Sequence, residues 1–129
     1  MLFGSTPAFS SFSVADLDAA RTFYGDTLGL QVAEEGVGEM RMLFLTLSGG
    51  ARVLVYPKGD QHAPAGFTVL NFEVADIDAA VDALGDKGVT FERYPGFEFD
   101  AKGICRDERG PAIAWFTDPS KNVIALLQS

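Results

Sequence analysis

A stretch of nine residues occurs twice in this sequence, sixty positions apart. Residues 12–20 read FSVADLDAA and residues 72–80 read FEVADIDAA, so seven of the nine positions are identical and an eighth exchanges leucine for isoleucine. The register continues to Gly25 and Asp26, which match Gly85 and Asp86. Because this period is longer than that of a common solenoid repeat, the sequence predicts a small module that has been duplicated.

Each copy predicts a strand followed by a helix. The leading strands are expected at residues 8–14 and 68–74, where the pattern alternates as in a half-buried strand. Asp16 and Asp76 then occupy the position at which a helix begins, where aspartate is favoured. Apolar residues follow at helical spacing, and glycines near Gly29 and Gly88 are expected to end the two helices.

Strand-like stretches follow each helix and complete the predicted topology. They cover residues 30–33, 41–47 and 52–56 in the first copy and residues 90–94, 112–116 and 123–127 in the second, with a poorly defined stretch around 99–106. This order predicts an α+β protein of two tandem βαβββ modules, each with its helix on one face of a mostly antiparallel sheet. We place module one at about 7–57, a polar linker at 58–66 and module two at about 67–128, within a single domain over residues 1–129.

The chain is small and acidic, which limits its partners. It has 129 residues, a net charge of −8 and an isoelectric point near 4.4, so its surface repels phosphates and we predict no nucleic-acid partner. The single cysteine, Cys105, cannot form an intrachain disulfide, which fits a reducing compartment. Residues 1–7 lack the features of a signal peptide, and no apolar run is long enough to span a bilayer. We therefore expect a cytoplasmic protein that makes no membrane contact.

Two motifs at opposite ends of the chain resemble those of a known family. Residues 14–17 read VADL and are followed by Phe23-Tyr24 and by LGL at 28–30, and residues 115–124 read WFTDPSKNVI. With the repeat, these motifs make the chain similar to the vicinal oxygen chelate superfamily of glyoxalases, bleomycin-resistance proteins and extradiol dioxygenases. The resemblance covers about residues 8–128. It implies the fold predicted above, a cavity lined by the sheet faces that point away from the helices, and a homodimer.

The closing motif also has a local interpretation. Asp118-Pro119 is expected to begin a turn, because proline fixes φ at the second turn position. Asn122 is expected to close that turn in a left-handed conformation.

The resemblance marks four positions at which metal-using members carry ligands. They lie on each module's first strand, at Phe9 and Val69, and on each module's last strand, at Ala125 in the second copy and within residues 53–55 in the first. These side chains are all apolar, whereas divalent metals need carboxylate oxygen, imidazole nitrogen or thiolate. We therefore predict no metal and no cofactor. The only histidine, His62, is expected to be a solvated loop residue, and Cys105 a small buried hydrophobe.

Strand parity assigns side chains to the cavity that the resemblance implies. The predicted ligand contacts are Phe9, Ser11, Ser13, Val69, Asn71, Glu73, Trp115 and Ala125. Other aromatic residues that could close the cavity are Tyr56, Tyr94, Phe97, Phe99 and Phe116. Such a lining fits a small-molecule pocket, and it fits equally a filled core in which Phe9 plugs the former metal position.

Two features of the second copy allow two interpretations each. Glu73 either faces the cavity or lies at its rim and pairs with Arg106 or Arg93. Residues 94–100 interleave aromatic and acidic side chains around a Pro-Gly turn. They form either a loop that closes over a ligand or a strand with one apolar and one acidic face.

We predict a metal-independent protein that binds a small cationic or aromatic molecule, similar to the bleomycin-resistance branch of the family. The net charge of −8 and the apolar residues Phe9, Val69 and Ala125 motivate this hypothesis. Two alternatives stay open. One is a metal-dependent lyase, isomerase or dioxygenase, in which the metal acts as a Lewis acid. The other is a metal-free enzyme with Glu73 as general base.

Overall fold

The first half of the chain folds as one unit, which reaches to Ala63. The structure is a computed structural model that describes residues 2–129; the predicted absence of a signal peptide includes Met1, which lies outside the described residues. The strands of this unit are β1 (Ser10–Val14), β2 (Gln31–Glu35), β3 (Met42–Thr46) and β4 (Arg52–Pro57). Helix α1 covers Leu17–Thr22 and continues as a π-helical turn over Phe23–Thr27.

The second unit, Pro64–Ser129, repeats this order of elements. It contains β5 (Thr68–Glu73), α2 (Ile77–Asp86), β6 (Phe91–Glu92), β7 (Ala112–Thr117) and β8 (Val123–Gln128). The prediction of an α+β protein with two tandem βαβββ modules is confirmed. The stretch around 99–106 forms no strand; within it, Cys105 makes an isolated bridge to Ile113.

Each unit forms a mixed four-stranded sheet in which the first strand pairs with the last. The strand orders are β1-β4-β3-β2 and β5-β8-β7-β6. The β1–β4 and β5–β8 pairs are parallel and the other pairs antiparallel, so the mostly antiparallel prediction is confirmed. The parallel pair needs a crossover, which the helix and the two intervening strands provide.

Both predicted helix starts are confirmed. The carboxylate of Asp16 accepts a hydrogen bond from the backbone N–H of Ala19 at 3.1 Å, and Asp76 accepts one from Ala79 at the same distance. These bonds satisfy backbone donors that the first helical turn leaves without a partner. Gly29 and Gly88, near the ends of the helices, have positive φ values of 73° and 88°.

The cores lie between each sheet and its helix. In the first unit the buried residues are Phe12, Val14, Leu17, Ala20, Tyr24, Leu43, Leu45, Val53 and Val55; in the second they include Leu70, Ile77, Val81, Ala114, Phe116, Ile124 and Leu126. Phe116 was expected among the aromatic residues that could close a cavity, and this expectation is wrong. It is fully buried, pairs in register with Ile124 and packs edge-on against Phe91 at 5.8 Å.

The turn between β7 and β8 begins at Asp118-Pro119 as predicted, with the backbone N–H of Lys121 donating to the carbonyl of Asp118 at 2.9 Å, but its left-handed residue differs from the prediction. Asp118 is buried, and its carboxylate accepts hydrogen bonds from the backbone N–H groups of Ser120 and Asn122. The residue in the left-handed conformation is Lys121, with φ of 69°, and not Asn122. The Asn122 side chain instead donates to the second oxygen of Asp118 at 3.0 Å. Asn122 therefore acts through its buried side-chain amide, which binds the Asp118 carboxylate, and not through a left-handed backbone conformation.

Within residues 2–129, no helix is both long enough and apolar enough to cross a bilayer.

Candidate functional site

By strand parity, the residues predicted as ligand contacts fall on the face of each sheet that points away from its own helix, which we call the open face. Phe9 directly precedes β1, and Ala125 on this face is buried, at 1% exposed. In the first unit Phe9, Ser11 and Ser13 alternate along the chain with the core residues Phe12 and Val14. Phe9 is 61% exposed and meets the ring of Phe44 edge-on at 5.7 Å. This exposure does not fit the interpretation of Phe9 as a plug in a filled core.

The aromatic residue at the centre of the first open face already has a cation above it. Phe44 pairs in register with Leu54, which in turn pairs with Ser11. The guanidinium of Arg52 lies 3.8 Å from the centre of the Phe44 ring and pairs with Glu35 at 2.9 Å. The chain therefore supplies its own cation–π partner at this position.

His62 is not the solvated loop residue that the sequence predicted. It is half-buried, and its Nδ1 lies 2.8 Å from the hydroxyl oxygen of Ser13. The 3-10 turn Gly59–Gln61 directly precedes His62. Sequence reasoning missed this contact because 49 positions separate the two residues.

The second open face brings three of the predicted contacts into one row. Asn71 pairs in register with Ala125, and Ala125 pairs with Trp115. On the other side of Trp115, β6 contributes Glu92. Val69 is half-buried beside an irregularity in the β5–β8 register.

Glu73 lies at the end of β5 opposite Leu127 and is exposed. Among residues 2–129, no arginine or lysine forms an ion pair with it. Arg106 pairs with other carboxylates, and Arg93 donates to the carbonyl of Ala101. The interpretation in which Glu73 pairs with Arg106 or Arg93 is therefore wrong.

Four aromatic rings gather on the second open face. Trp115 contacts Tyr94, Phe97 and Phe99 with ring centroids 5.5, 5.3 and 6.1 Å apart, all in tilted or edge-on arrangements. We call Tyr94, Phe97, Phe99 and Trp115 the aromatic cluster. Phe97 remains 54% exposed. Burial, and then the negative charge of Glu92, raise the pKa of Tyr94, so its phenol is a neutral hydrogen-bond donor near neutral pH.

The segment that carries three of these rings is a loop. Residues 94–100 form a turn and irregular backbone after β6, and not a strand. The interpretation of this segment as a strand is therefore wrong. The alternative, a loop that closes over a ligand, agrees in its irregular backbone, and its closure stays a prediction.

The strand registers identify the one position, within residues 53–55, that the sequence left open among the four at which metal-using members carry ligands. Ser11 pairs with Leu54 in the first unit in the way that Asn71 pairs with Ala125 in the second. Ser11 and Asn71 are equivalent in the repeat, so the position within residues 53–55 is Leu54. Phe9, Leu54, Val69 and Ala125 contain no donor atom for a divalent metal, so these residues do not fit the metal site of metal-using relatives. Across the part of the chain that the structure describes, no group of three or more His, Cys, Asp or Glu side chains could hold a metal ion.

Two shallow depressions lie at equivalent places in the repeat, between a helix and its edge strand. One, of about 460 Å³, is bordered by Gly25 and Asp26. The other, of about 520 Å³, is bordered by Gly85 and Asp86. Both occur on the helix side of the sheets, away from the predicted contacts. We attribute them to the repeated packing of helix against edge strand.

Comparison with known proteins gives a family and a fold. The model of the Glyoxalase/Bleomycin resistance protein/Dioxygenase superfamily matches residues 9–126. No curated protein matches the chain.

Several solved structures are similar over nearly the whole chain. TnmS3, an antibiotic binding protein from Streptomyces sp. CB03234, is 23% identical with a TM-score of 0.71, over 96% of this chain and 97% of that one. A superfamily member from Sphaerobacter thermophilus DSM 20745 is 24% identical with a TM-score of 0.71, over 95% and 98%. A lactoylglutathione lyase from Agrobacterium tumefaciens is 18% identical with a TM-score of 0.69, over 98% and 96%. At these identities the likeness establishes the fold alone.

Proposed function

The chain belongs to the glyoxalase/bleomycin resistance protein/dioxygenase superfamily, and we propose that it binds a small cationic or aromatic molecule without a metal ion. The observation that carries the proposal is the aromatic cluster. Its four rings lie on the side of the sheet opposite α2, and Phe97 leaves more than half of its surface to solvent. A planar ligand stacked on these rings would cover apolar surface that the fold itself leaves open.

Two carboxylates near the cluster favour a cationic ligand, and one cation of the chain, the guanidinium of Arg93, lies 5.8 Å from the centre of the Phe99 ring. Glu92 is adjacent to Trp115 in the β6–β7 register, and Glu98 lies between two rings of the cluster along the chain. A cation over an aromatic face gains about 0.5–2 kcal/mol, and the net charge of −8 raises the local concentration of cations. Asn71 supplies an amide in the same row, which could fix the orientation of the ligand.

The donor chemistry of the open faces supports the metal-independent part of the proposal. Metal catalysis in this fold needs side-chain oxygen or nitrogen at the four marked positions, and Leu54 and Ala125 on the last strands carry neither. TnmS3 is described as an antibiotic binding protein and the Agrobacterium tumefaciens relative as a lyase, so the fold serves both purposes. The missing donors favour the binding alternative for this chain. Glu73 is exposed, and no observation favours its use as a catalytic base.

Intrinsic fluorescence provides a direct test, because Trp115 is the only tryptophan. We would titrate the protein with a panel of cationic and aromatic compounds and follow both heat and tryptophan emission. We expect saturable heat and a matching change in emission for at least one compound. Absence of both across the panel would contradict the proposal.

A matched pair of variants locates the site. Phe97→Ala removes the exposed ring of the cluster and should weaken binding by about 1 kcal/mol, equivalent to about five-fold. Phe67→Ala is the control, because Phe67 is 69% exposed and lies outside the cluster. Equal losses in the two variants would show that the ligand does not use the cluster.

Two further parts of the proposal need their own measurements. Elemental analysis after growth with added zinc, nickel, manganese and iron should find no stoichiometric metal, and a stoichiometric metal would overturn the metal-independent assignment. We also propose a homodimer, which sedimentation velocity tests. In the first unit, Phe9, Ser11 and Ser13 remain our proposed ligand contacts.

A further inference from the structure

The loop that carries the aromatic cluster is also attached to the helix on the opposite side of the sheet. We call residues 93–106 the strap. Its first part places three rings on Trp115 at the open face. Its last part pairs with carboxylates of α2 through Lys102 and Arg106. The strap therefore passes around the β6 edge and connects the two faces of the second sheet.

Arg106 is the centre of this attachment. Its Nη2 donates to Oδ2 of Asp78 in the first turn of α2 at 2.7 Å, and its Nε donates to Oδ2 of Asp100 at 3.4 Å. The hydrogen bond from Arg106 holds the pKa of Asp78 below its ordinary value. One guanidinium thus joins the helix to the residue that follows Phe99 in the strap.

Asp100 connects the Arg106 side chain to the backbone of the strap. Its Oδ1 accepts hydrogen bonds from the backbone N–H groups of Lys102 and Ile104, each at 2.9 Å. Burial acts to raise the pKa of Asp100, but these bonds and the Arg106 guanidinium outweigh it and lower the pKa. The turn that follows Phe99 is therefore built on a charged carboxylate, and Arg106 ties this carboxylate to α2.

We propose that Arg106 is a positioning residue for the aromatic cluster, holding Phe97 and Phe99 on Trp115 by joining Asp78 of α2 to Asp100 of the strap. Lys102, which pairs with Asp82 at 3.0 Å, supports the same connection. Any change in ligand affinity that follows from this positioning role rests on the proposed function. The positioning of the aromatic cluster itself does not, because it concerns the protein without ligand.

Quenching of Trp115 fluorescence by acrylamide, measured without ligand, tests the proposal. In Arg106→Gln the strap loses its connection to α2, and the quenching constant should rise by about two-fold, as expected for the loss of exposed ion pairs of modest strength. Arg109→Gln is the matched control. Arg109 belongs to the same connection between β6 and β7, but it pairs with Asp107 two residues away and not with α2. Its quenching should equal that of the parent protein.

Two further variants separate positioning from a general effect of charge or stability. Arg106→Lys keeps the charge but cannot donate from two separate nitrogens, so it should restore only part of the quenching protection. Asp78→Asn removes the helix side of the same contact together with the Lys102 pair at 3.7 Å, so its combination with Arg106→Gln should give less than the sum of the two single changes. Thermal unfolding midpoints of these exposed variants should stay close to that of the parent protein.

The outcomes distinguish this proposal from the proposed function. Unchanged quenching in Arg106→Gln, or an equal rise in Arg109→Gln, refutes the positioning role even when the parent protein binds a ligand. A rise in Arg106→Gln and Asp78→Asn that Arg109→Gln does not show supports it even when no compound in the panel binds. If Arg106→Gln fails to fold, the quenching of Asp78→Asn decides between these results.

Discussion

Replacing the buried carboxylate of Asp118 should destabilise the protein far more than replacing an exposed carboxylate such as that of Asp107. Asp118 is 2% exposed, and three donors converge on it. They are the backbone N–H of Ser120 at 2.8 Å, the backbone N–H of Asn122 at 2.9 Å and the side-chain amide of Asn122 at 3.0 Å. Asp118→Ala leaves all three without this partner.

The size of the effect follows from the number of donors and their burial. A hydrogen bond to a charged group contributes about 1.5–3 kcal/mol. The three bonds at Asp118 are not independent, and water can enter the space that the carboxylate leaves. We therefore expect a loss of about 3–5 kcal/mol in the free energy of unfolding, a large part of the roughly 5–15 kcal/mol available to a domain. The thermal midpoint should fall by at least about 10 °C.

Urea unfolding monitored by circular dichroism measures this loss, with Asp107→Ala as the control. Asp107 also accepts a backbone N–H two residues ahead, from Arg109 at 2.9 Å, but its side chain is 46% exposed. Its removal should scarcely move the urea midpoint. If Asp118→Ala costs no more than Asp107→Ala, burial does not set the strength of this turn and the reasoning is refuted.

Exchanging the two polar partners provides a second check. In Asp118→Asn the new amide faces the amide of Asn122, so two donors meet and one bond is lost. Combining it with Asn122→Asp restores one donor and one acceptor between the side chains. The double variant should recover about 1 kcal/mol or more relative to the sum of the single changes, and strict additivity would contradict the proposed geometry.

Three further predictions concern the helix starts, the core and an exposed ion pair. Asp16→Ala and Asp76→Ala should each lower the free energy of unfolding in urea by about 1 kcal/mol, because each removes the cap of an equivalent helix. A difference of more than about 1 kcal/mol between the two variants would show that the two caps do not contribute equally. Leu45→Ala, at a fully buried position, should cost about 2–5 kcal/mol in the same assay. Hydrogen bonds from Arg109 lower the pKa of Asp107 from 3.8 to about 2, so its contribution to stability is present above the unfolded value and is lost as pH falls through about 2. A carboxyl NMR titration should find this midpoint and should find it raised in Arg109→Gln.

The parts of the fold that follow from local rules could be predicted from the sequence. The repeat places Asp16 and Asp76 before apolar residues at helical spacing, and both aspartates cap their helices. Strand parity separated Phe12 and Val14, which are buried, from Phe9 and Ser11, which are exposed. These features depend on neighbours within a few residues, which a sequence displays directly.

The parts that depend on distant contacts could not be predicted. No local pattern links His62 to Ser13, because the contact exists only after β4 has returned alongside β1. The assignment of Asn122 to a left-handed turn position followed a residue preference, whereas the buried bond to Asp118 determines its conformation and leaves Lys121 with the positive φ. Only the first of these contacts is distant in sequence; the second joins residues four positions apart, and there a buried side-chain bond outweighs the residue preference.

The difference between the two units supports the proposal that the aromatic cluster of the second open face contributes most to ligand binding. Their sheets are equivalent strand for strand, and Phe44 and Trp115 occupy the same place, each one strand over from the paired residues Leu54 and Ala125. The connection between the second and third strands is short in the first unit, residues 36–41, and about three times as long in the second, residues 93–111. A long irregular connection in a compact fold is usually functional, and this one brings three aromatic rings to Trp115. Arg52 lies 3.8 Å from the centre of Phe44, closer than Arg93 lies to Phe99 in the cluster, at 5.8 Å. Shortening residues 93–111 to the length of the first connection should therefore abolish ligand binding while leaving the β7–β8 pairing intact, as amide hydrogen exchange can measure. Retained binding in that variant would move the site away from the aromatic cluster.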